Sequence, residues 1–212
     1  MNKKPFIGIA GNIGVGKTTM TEKISQRLSW NPIYESVINY SGAKPIPIPL
    51  REENNFSFDA DEVLSLISPN TSLIIITTPA NPTGGAISRS EIVKLIAGLE
   101  KHPHVAILSD EIYSRITYDN FEHVSLLEFE EIHDRLILLD GWSKTYAMTG
   151  WRLGWGVWPE KLLDKMFKFC VNNHSCVNAA IQHGAIAALD GPDDGINNMV
   201  DKFIKRKNLV CD

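Results

Sequence analysis

Three short apolar runs constrain this chain more than any other feature. Residues 73–77 (LIIIT), 105–109 (VAILS) and 136–139 (LILL) are rich in β-branched or aliphatic side chains. Runs of that length without polar alternation read as strands buried on both faces, the habit of parallel sheets. Around them the spacing turns helical, over residues 88–99, 161–171, 177–189 and 197–206. Ser88 with Glu91 three residues later has capping-box spacing. Residues 59–67 predict a helix with an acidic first turn. Residues 153–158, stopped by Pro159, predict a further strand. Strands alternating with helices predict an α/β fold with a largely parallel sheet. Upstream, residues 6–10 read as a short buried strand and 17–28 as a helix. Residues 31–58 are rich in proline, asparagine and polar residues, and are expected to be irregular except for an extended patch at 45–50.

In open α/β sheets, chemistry collects in the loops beyond the carboxyl ends of the strands. Behind 73–77 stands Asn81-Pro82-Thr83-Gly84-Gly85. Behind 105–109 stands Asp110-Glu111-Ile112-Tyr113. Behind 136–139 stands Ser143-Lys144-Thr145, with Arg152 eight residues beyond the lysine. Alone, each is modest. Asn-Pro-Thr-Gly is a common turn, an aspartate after a strand serves as a helix cap, and a single lysine is usually a solvated surface charge. Trp142, Trp151 and Trp155 read as packing rather than chemistry. Three such segments in order, each after an apolar strand, form a specific pattern.

That ordered set resembles the pyridoxal-phosphate-dependent aminotransferases of class I and II, of fold type I, and the resemblance runs from Pro32 to the end of the chain. It implies a truncated large domain over residues 32–212 and a parent activity of amino-group transfer between an amino acid and a 2-oxo acid. It also implies residue roles. Lys144 is the lysine that binds the cofactor covalently and then acts as general base. Asp110 stands beside the pyridine nitrogen and keeps it protonated by charge attraction, which deepens the electron sink that pyridoxal 5'-phosphate provides. Asn81 and Tyr113 hydrogen-bond the ring hydroxyl. Arg152 offers a planar fork of donors to the cofactor phosphate, with Ser143 near it. Two positions depart from the family pattern. The ring-stacking aromatic falls at Asn31, beside Trp30, and a phosphate-binding serine three residues before the lysine is Gly141. The family's N-terminal phosphate loop and its C-terminal small domain, with the arginine that grips the substrate carboxylate, fall outside this sequence. Weak cofactor capture and little transamination by this chain alone are therefore expected. Family resemblance further implies a homodimer.

The first residues carry a different pattern. Gly11, Gly14, Gly16, Lys17 and Thr18 satisfy G-x-x-x-x-G-K-[ST] between a predicted strand and a predicted helix, the context a P-loop requires. Backbone N–H groups there would cradle phosphates, Lys17 would reach the terminal ones, and Thr18 would hold Mg²⁺. Residues 1–31 resemble the start of deoxynucleoside kinases, and Glu35 matches their catalytic base. This leaves a P-loop, ATP- and Mg²⁺-binding protein, or a non-catalytic chimeric fragment, as alternative readings. The two resemblances meet at residues 32–37. The strand-helix unit is expected either at the sheet edge or loosely attached.

Composition closes off other classes. A net charge of −4 gives no general attraction to nucleic acid or to an acidic membrane surface. No apolar stretch approaches the ~20 residues of a membrane span. The three cysteines, Cys170, Cys176 and Cys211, include no C-x-x-C pair, so neither a disulfide framework nor a metal site is expected. A reducing, cytoplasmic setting follows.

Overall fold

The computed structural model describes residues 5–9, as backbone, and residues 32–211. Its centre is a six-stranded sheet of order β2-β1-β3-β4-β5-β6. The strands are β1 (Pro5–Ile9), β2 (Lys44–Pro47), β3 (Leu73–Thr77), β4 (Ala106–Asp110), β5 (Leu136–Gly141) and β6 (Gly154–Val157). Neighbours from β2 to β5 are parallel, and β6 closes the sheet antiparallel to β5. Among the described residues the α-helices are α1 (Pro32–Tyr40), α2 (Ala60–Ser65), α3 (Arg89–Leu99), α4 (Trp142–Thr145), α5 (Glu160–His174), α6 (Ala179–Asp190) and α7 (Asp194–Cys211). This is the α/β architecture expected from the alternating pattern.

One expectation is corrected. β1 is neither at the sheet edge nor loosely attached; it is interior, with Ile7 opposite Ile46 on one side and Ile74 on the other. The physical reason lies in β2. Pro45 and Pro47 lack backbone N–H groups and suit an edge, whereas β1 pairs its backbone along both sides. The P-loop residues 11–18 and the helix expected at 17–28 lie outside the described residues.

Side chains alternate across the sheet as the pleat requires. Ile74 and Ile76 of β3 point to one face and pack with Ile107, Leu136, Ile92, Leu95 and Leu99 under α2 and α3. Ile75 points to the other face and packs with Ile38, Ala43 and Tyr34 under α1. Each fully buried aliphatic side chain contributes roughly 1.5–3 kcal/mol by leaving water. A third cluster, Trp142, Leu153 and Ala185, joins α4 and β6 to α6, and the Trp142 indole N–H donates to the Ala185 carbonyl at 3.2 Å.

Two helices start as their sequences indicate. Asp59 accepts from the Asp61 and Glu62 N–H groups at the head of α2. Ser88 accepts from the Glu91 N–H at the head of α3. The capping box is only half formed, because the Glu91 carboxylate reaches across to the Ala60 N–H at 2.7 Å and ties α3 to α2. α1 was not expected. Its sequence, PIYESVINY, is poor in strong helix formers. Pro32 suits its first turn, and Tyr34 and Ile38, four residues apart, bring one face onto the sheet. No described helix is long and apolar enough to cross a membrane.

Candidate active site

Asp110 is the last residue of β4, and its register partners are Thr77, the last residue of β3, and Leu139 of β5. Asp110 therefore opens onto the crevice at the carboxyl edge of three parallel strands, where α/β folds gather ligands. The loop after β3 supplies Asn81, and two hydrogen bonds close it: Ala80 N–H to Gly85 O at 2.8 Å and Gly84 N–H to Ala80 O at 2.9 Å. Gly85 is required by close approach, since a Cβ there would stand 2.3 Å from the Phe56 carbonyl oxygen. The turn after β4 supplies Tyr113, and the single turn of α4 after β5 supplies Lys144.

These side chains converge. Asn81 Nδ2 donates to the Tyr113 hydroxyl at 3.0 Å. The Lys144 amine stands 5.4 Å from the centre of the Tyr113 ring, within the range of cation–π attraction. Asp110 Oδ1 accepts from the Ile112 N–H at 3.3 Å and Oδ2 from the Tyr34 hydroxyl at 2.8 Å. Burial pushes the Asp110 carboxyl above the usual carboxylate range, although Tyr34, the Ile112 N–H and the Lys144 charge all pull it down. The Tyr34 phenol is likewise pushed up, by burial first and then by the Asp110 charge beside it.

The other two expected site residues, Ser143 and Arg152, are described by their local surroundings. Ser143 is half-buried beside Lys144 on α4. Arg152 is exposed, in left-handed backbone (φ 54°), and donates to the Thr149 carbonyl at 3.0 Å. The nucleotide-binding candidates Gly11, Gly14, Gly16, Lys17 and Thr18 lie outside the described residues, as do Trp30 and Asn31.

Sequence reasoning missed two residues of this crevice. Tyr34 comes from a helix 76 positions before Asp110, and only its spacing to Ile38 hinted that it faced inward. Thr77 ends β3 at the level where Asp110 ends β4. Its hydroxyl is buried and meets no hydrogen-bond partner, yet it lies near enough to the Tyr34 phenol to ease its ionisation.

Just beyond β4, on the opposite face of the sheet, Glu111 is only 3% exposed. Its carboxylate accepts from Ser109 Oγ at 2.9 Å and the Leu126 N–H at 3.0 Å, and pairs with His123 Nε2 at 2.9 Å. Burial alone would raise this acid, but His123 and the Leu126 N–H hold it below its ordinary value. The network clamps the strand end that presents Asp110.

The sequence matches the family model described as aminotransferase class I and II over residues 10–212, a span that includes 11–18. It is 32% identical over 209 residues to aromatic-amino-acid aminotransferase 2 of Thermococcus litoralis, covering 96% of this chain and 54% of that protein. It is 35% identical over 178 residues to an aspartate aminotransferase of Rhizobium meliloti, covering 84% and 43% respectively. Among solved structures, the aspartate aminotransferase from Rhizobium meliloti matches with a TM-score of 0.84 at 28% identity, over 99% of this chain and 48% of that one. The aromatic aminotransferase from Pyrococcus horikoshii OT3 matches with a TM-score of 0.83 at 29% identity, over 99% and 52%. The chain spans about half the length of the curated relatives it matches.

Proposed function

The chain belongs to the aminotransferase class I and II family, and from that premise we propose that its crevice binds pyridoxal 5'-phosphate for amino-group transfer between an amino acid and a 2-oxo acid. One observation carries the reading: Lys144, the Asn81–Tyr113 pair and Asp110 converge from the ends of three different strands. The donor set also suits a planar heteroaromatic ring. A carboxylate suits a ring nitrogen, an amide and a phenol suit a ring hydroxyl, and an amine suits a carbonyl.

When bound, this cofactor supplies an electron sink for the charge left when a proton departs from an amino acid's α-carbon. Lys144 would hold the cofactor through its carbonyl and then move that proton as general base. Asp110 would keep the ring nitrogen protonated by charge attraction. Asn81 and Tyr113 would hold the ring hydroxyl. Arg152 would bind the phosphate through its planar fork, with Ser143 beside it. The substrates of this reading are amino and 2-oxo acids, and its assembly is a homodimer.

The test is to add pyridoxal 5'-phosphate to the purified chain, record visible absorbance, and trap with borohydride, with Lys144→Ala alongside. A yellow band lost in the variant, with the trapped adduct mapped to Lys144, is the expected result. No band, or label spread over surface lysines, would reject the reading.

A further inference from the structure

Tyr113 and Lys144 come from different turns, yet they must serve neighbouring groups of one molecule. In pyridoxal 5'-phosphate the carbonyl and the ring hydroxyl sit on adjacent ring carbons. The amine that meets one and the phenol that meets the other therefore have to stand side by side at a fixed gap. In the structure the Lys144 amine lies 5.4 Å from the centre of the Tyr113 ring.

The residues just beyond Tyr113 reach residues on either side of Lys144. Ser114 Oγ donates to Asp140 Oδ2 at 3.4 Å, and Asp140 Oδ1 accepts from the Gly141 N–H at 2.6 Å. Arg115 pairs at 2.6 Å with Asp193, which lies between α6 and α7. Asp193 first, and after it the Tyr146 phenol, push the Arg115 guanidinium above its ordinary value, so the phenol stands within its reach. Ser114, Arg115, Asp140 and Tyr146 line one cavity of about 180 Å³. Asp140 precedes Lys144 by four residues and Tyr146 follows it by two. The turn that carries Tyr113 is thus tied to the turn that carries Lys144 on both sides of the lysine. An exposed ion pair such as Arg115–Asp193 contributes little stability by itself. Its use here is to hold a planar fork of donors in place, which leaves further N–H groups for Tyr146.

We propose that Arg115 and Tyr146 are positioning residues: they brace the Tyr113 turn against the Lys144 turn and so set the gap between phenol and amine that the cofactor must fit. This rests on the cofactor reading above. Each acts through its neighbour in the chain, since Arg115 stands two residues beyond Tyr113 and Tyr146 two beyond Lys144.

The first readout needs no cofactor. An ammonium over an aromatic ring perturbs the NMR signals of that ring. The change in the Tyr113 ring-carbon signal on going to Lys144→Ala therefore reports how closely the amine sits. Arg115→Met keeps much of the side-chain stem, and Tyr146→Phe removes only a hydroxyl. In either background that change should fall to about half or less of its size in the unmodified chain. The double variant should fall no further, because both substitutions remove the same contact. The second readout is affinity for pyridoxal 5'-phosphate by equilibrium dialysis, with the Lys144-dependent absorbance as a check. Each single variant should bind roughly threefold to tenfold more weakly, the worth of one net hydrogen bond, and the double variant by the same factor. Arg115→Lys keeps a charge for Asp193 but lacks the fork, so it should bind as weakly as Arg115→Met.

An unchanged Tyr113 response in both single variants would overturn the brace. So would penalties that add in the double variant, the mark of two separate packing effects, or an Arg115→Lys chain that binds as well as the unmodified one. If the unmodified chain forms no Lys144-dependent band, the cofactor reading fails and the positioning role falls with it. A band of equal affinity in every variant rejects the positioning role alone.

Discussion

Asp110, the last residue of β4, and Glu111, just beyond it, are adjacent acids whose side chains go to opposite faces of the sheet, and their environments shift them in opposite directions. Asp110 is pushed up, chiefly by burial. A carboxyl with a raised folded pKa binds its proton more tightly in the native state, so stability falls as pH rises from the unfolded value of about 3.9 through the folded one. At neutral pH the ionised Asp110 therefore costs stability. Asp110→Asn, with an amide oxygen still available to Tyr34, should raise the melting midpoint at pH 7 by ~2–4 °C, about 1 kcal/mol, while lowering the affinity for pyridoxal 5'-phosphate. A melt and a dialysis titration on the same protein check both halves, and a midpoint that falls would contradict the sign argued here. Glu111 is held low by His123 and the Leu126 N–H against the effect of burial. Its stabilisation is fully present above its unfolded pKa of about 4.3 and is lost as pH falls through the folded value. Glu111→Gln should cost about 1.5–3 kcal/mol in urea unfolding at pH 7, with the difference from the unmodified chain shrinking toward pH 3. Asn81, Asp110, Tyr113 and Lys144 could be singled out as candidates because they follow apolar strands in an order that resembles the family's. Tyr34 and Thr77 were not, because their relation to Asp110 is spatial and leaves no linear spacing to read.

At the scale of elements, the strand pattern could be read almost to the residue, since an apolar β-branched run of five has few other ways to bury itself. α1 could not, because its propensity is weak and its helix is held by Ile38 and Tyr34 against the sheet. The close of β5 is informative in the same way. Resemblance to the family places a serine where this chain has Gly141. Gly141 faces Gly154 across the antiparallel β5–β6 pair, and a Cβ on it would stand 2.8 Å from the Gly154 Cα and 2.9 Å from the Leu153 carbonyl oxygen. The chain therefore cannot accept the serine without moving backbone. Gly141→Ser should destabilise by about 1–3 kcal/mol, the usual cost of overpacking, rather than simply add a phosphate ligand. Denaturation midpoints decide this, and an unchanged midpoint would show that the two strands give way freely.

For the whole molecule, the sheet is covered on one face by α2 and α3 and on the other by α1, while α5 and α7 carry much apolar surface outward. Phe167 is 72% exposed, Leu209 82% and Val210 84%. An apolar pocket of about 360 Å³ opens between Trp142, Trp155 and α6, away from the convergent polar groups. Surfaces of this kind promote association. Sedimentation at micromolar concentration should show species heavier than the monomer, and Phe167→Ser with Leu209→Ser should reduce them while leaving the melting midpoint within a degree or two. A chain that sediments as a monomer before substitution would refute this.

By itself the sequence determined the strands, most of the helices and the polar residues that stand behind each strand, because hydrophobic period and strand-end residues are local properties written in consecutive positions. It determined neither the neighbours nor the sheet order. That β1 lies between β2 and β3, that Tyr34 arrives on Asp110, and that the Thr77 hydroxyl is left unpaired beside them was decided by the tertiary structure alone. The reason is that backbone pairing and burial are satisfied between segments distant in the chain, and the free energy of a contact depends on which surfaces meet rather than on how far apart their residues stand in sequence.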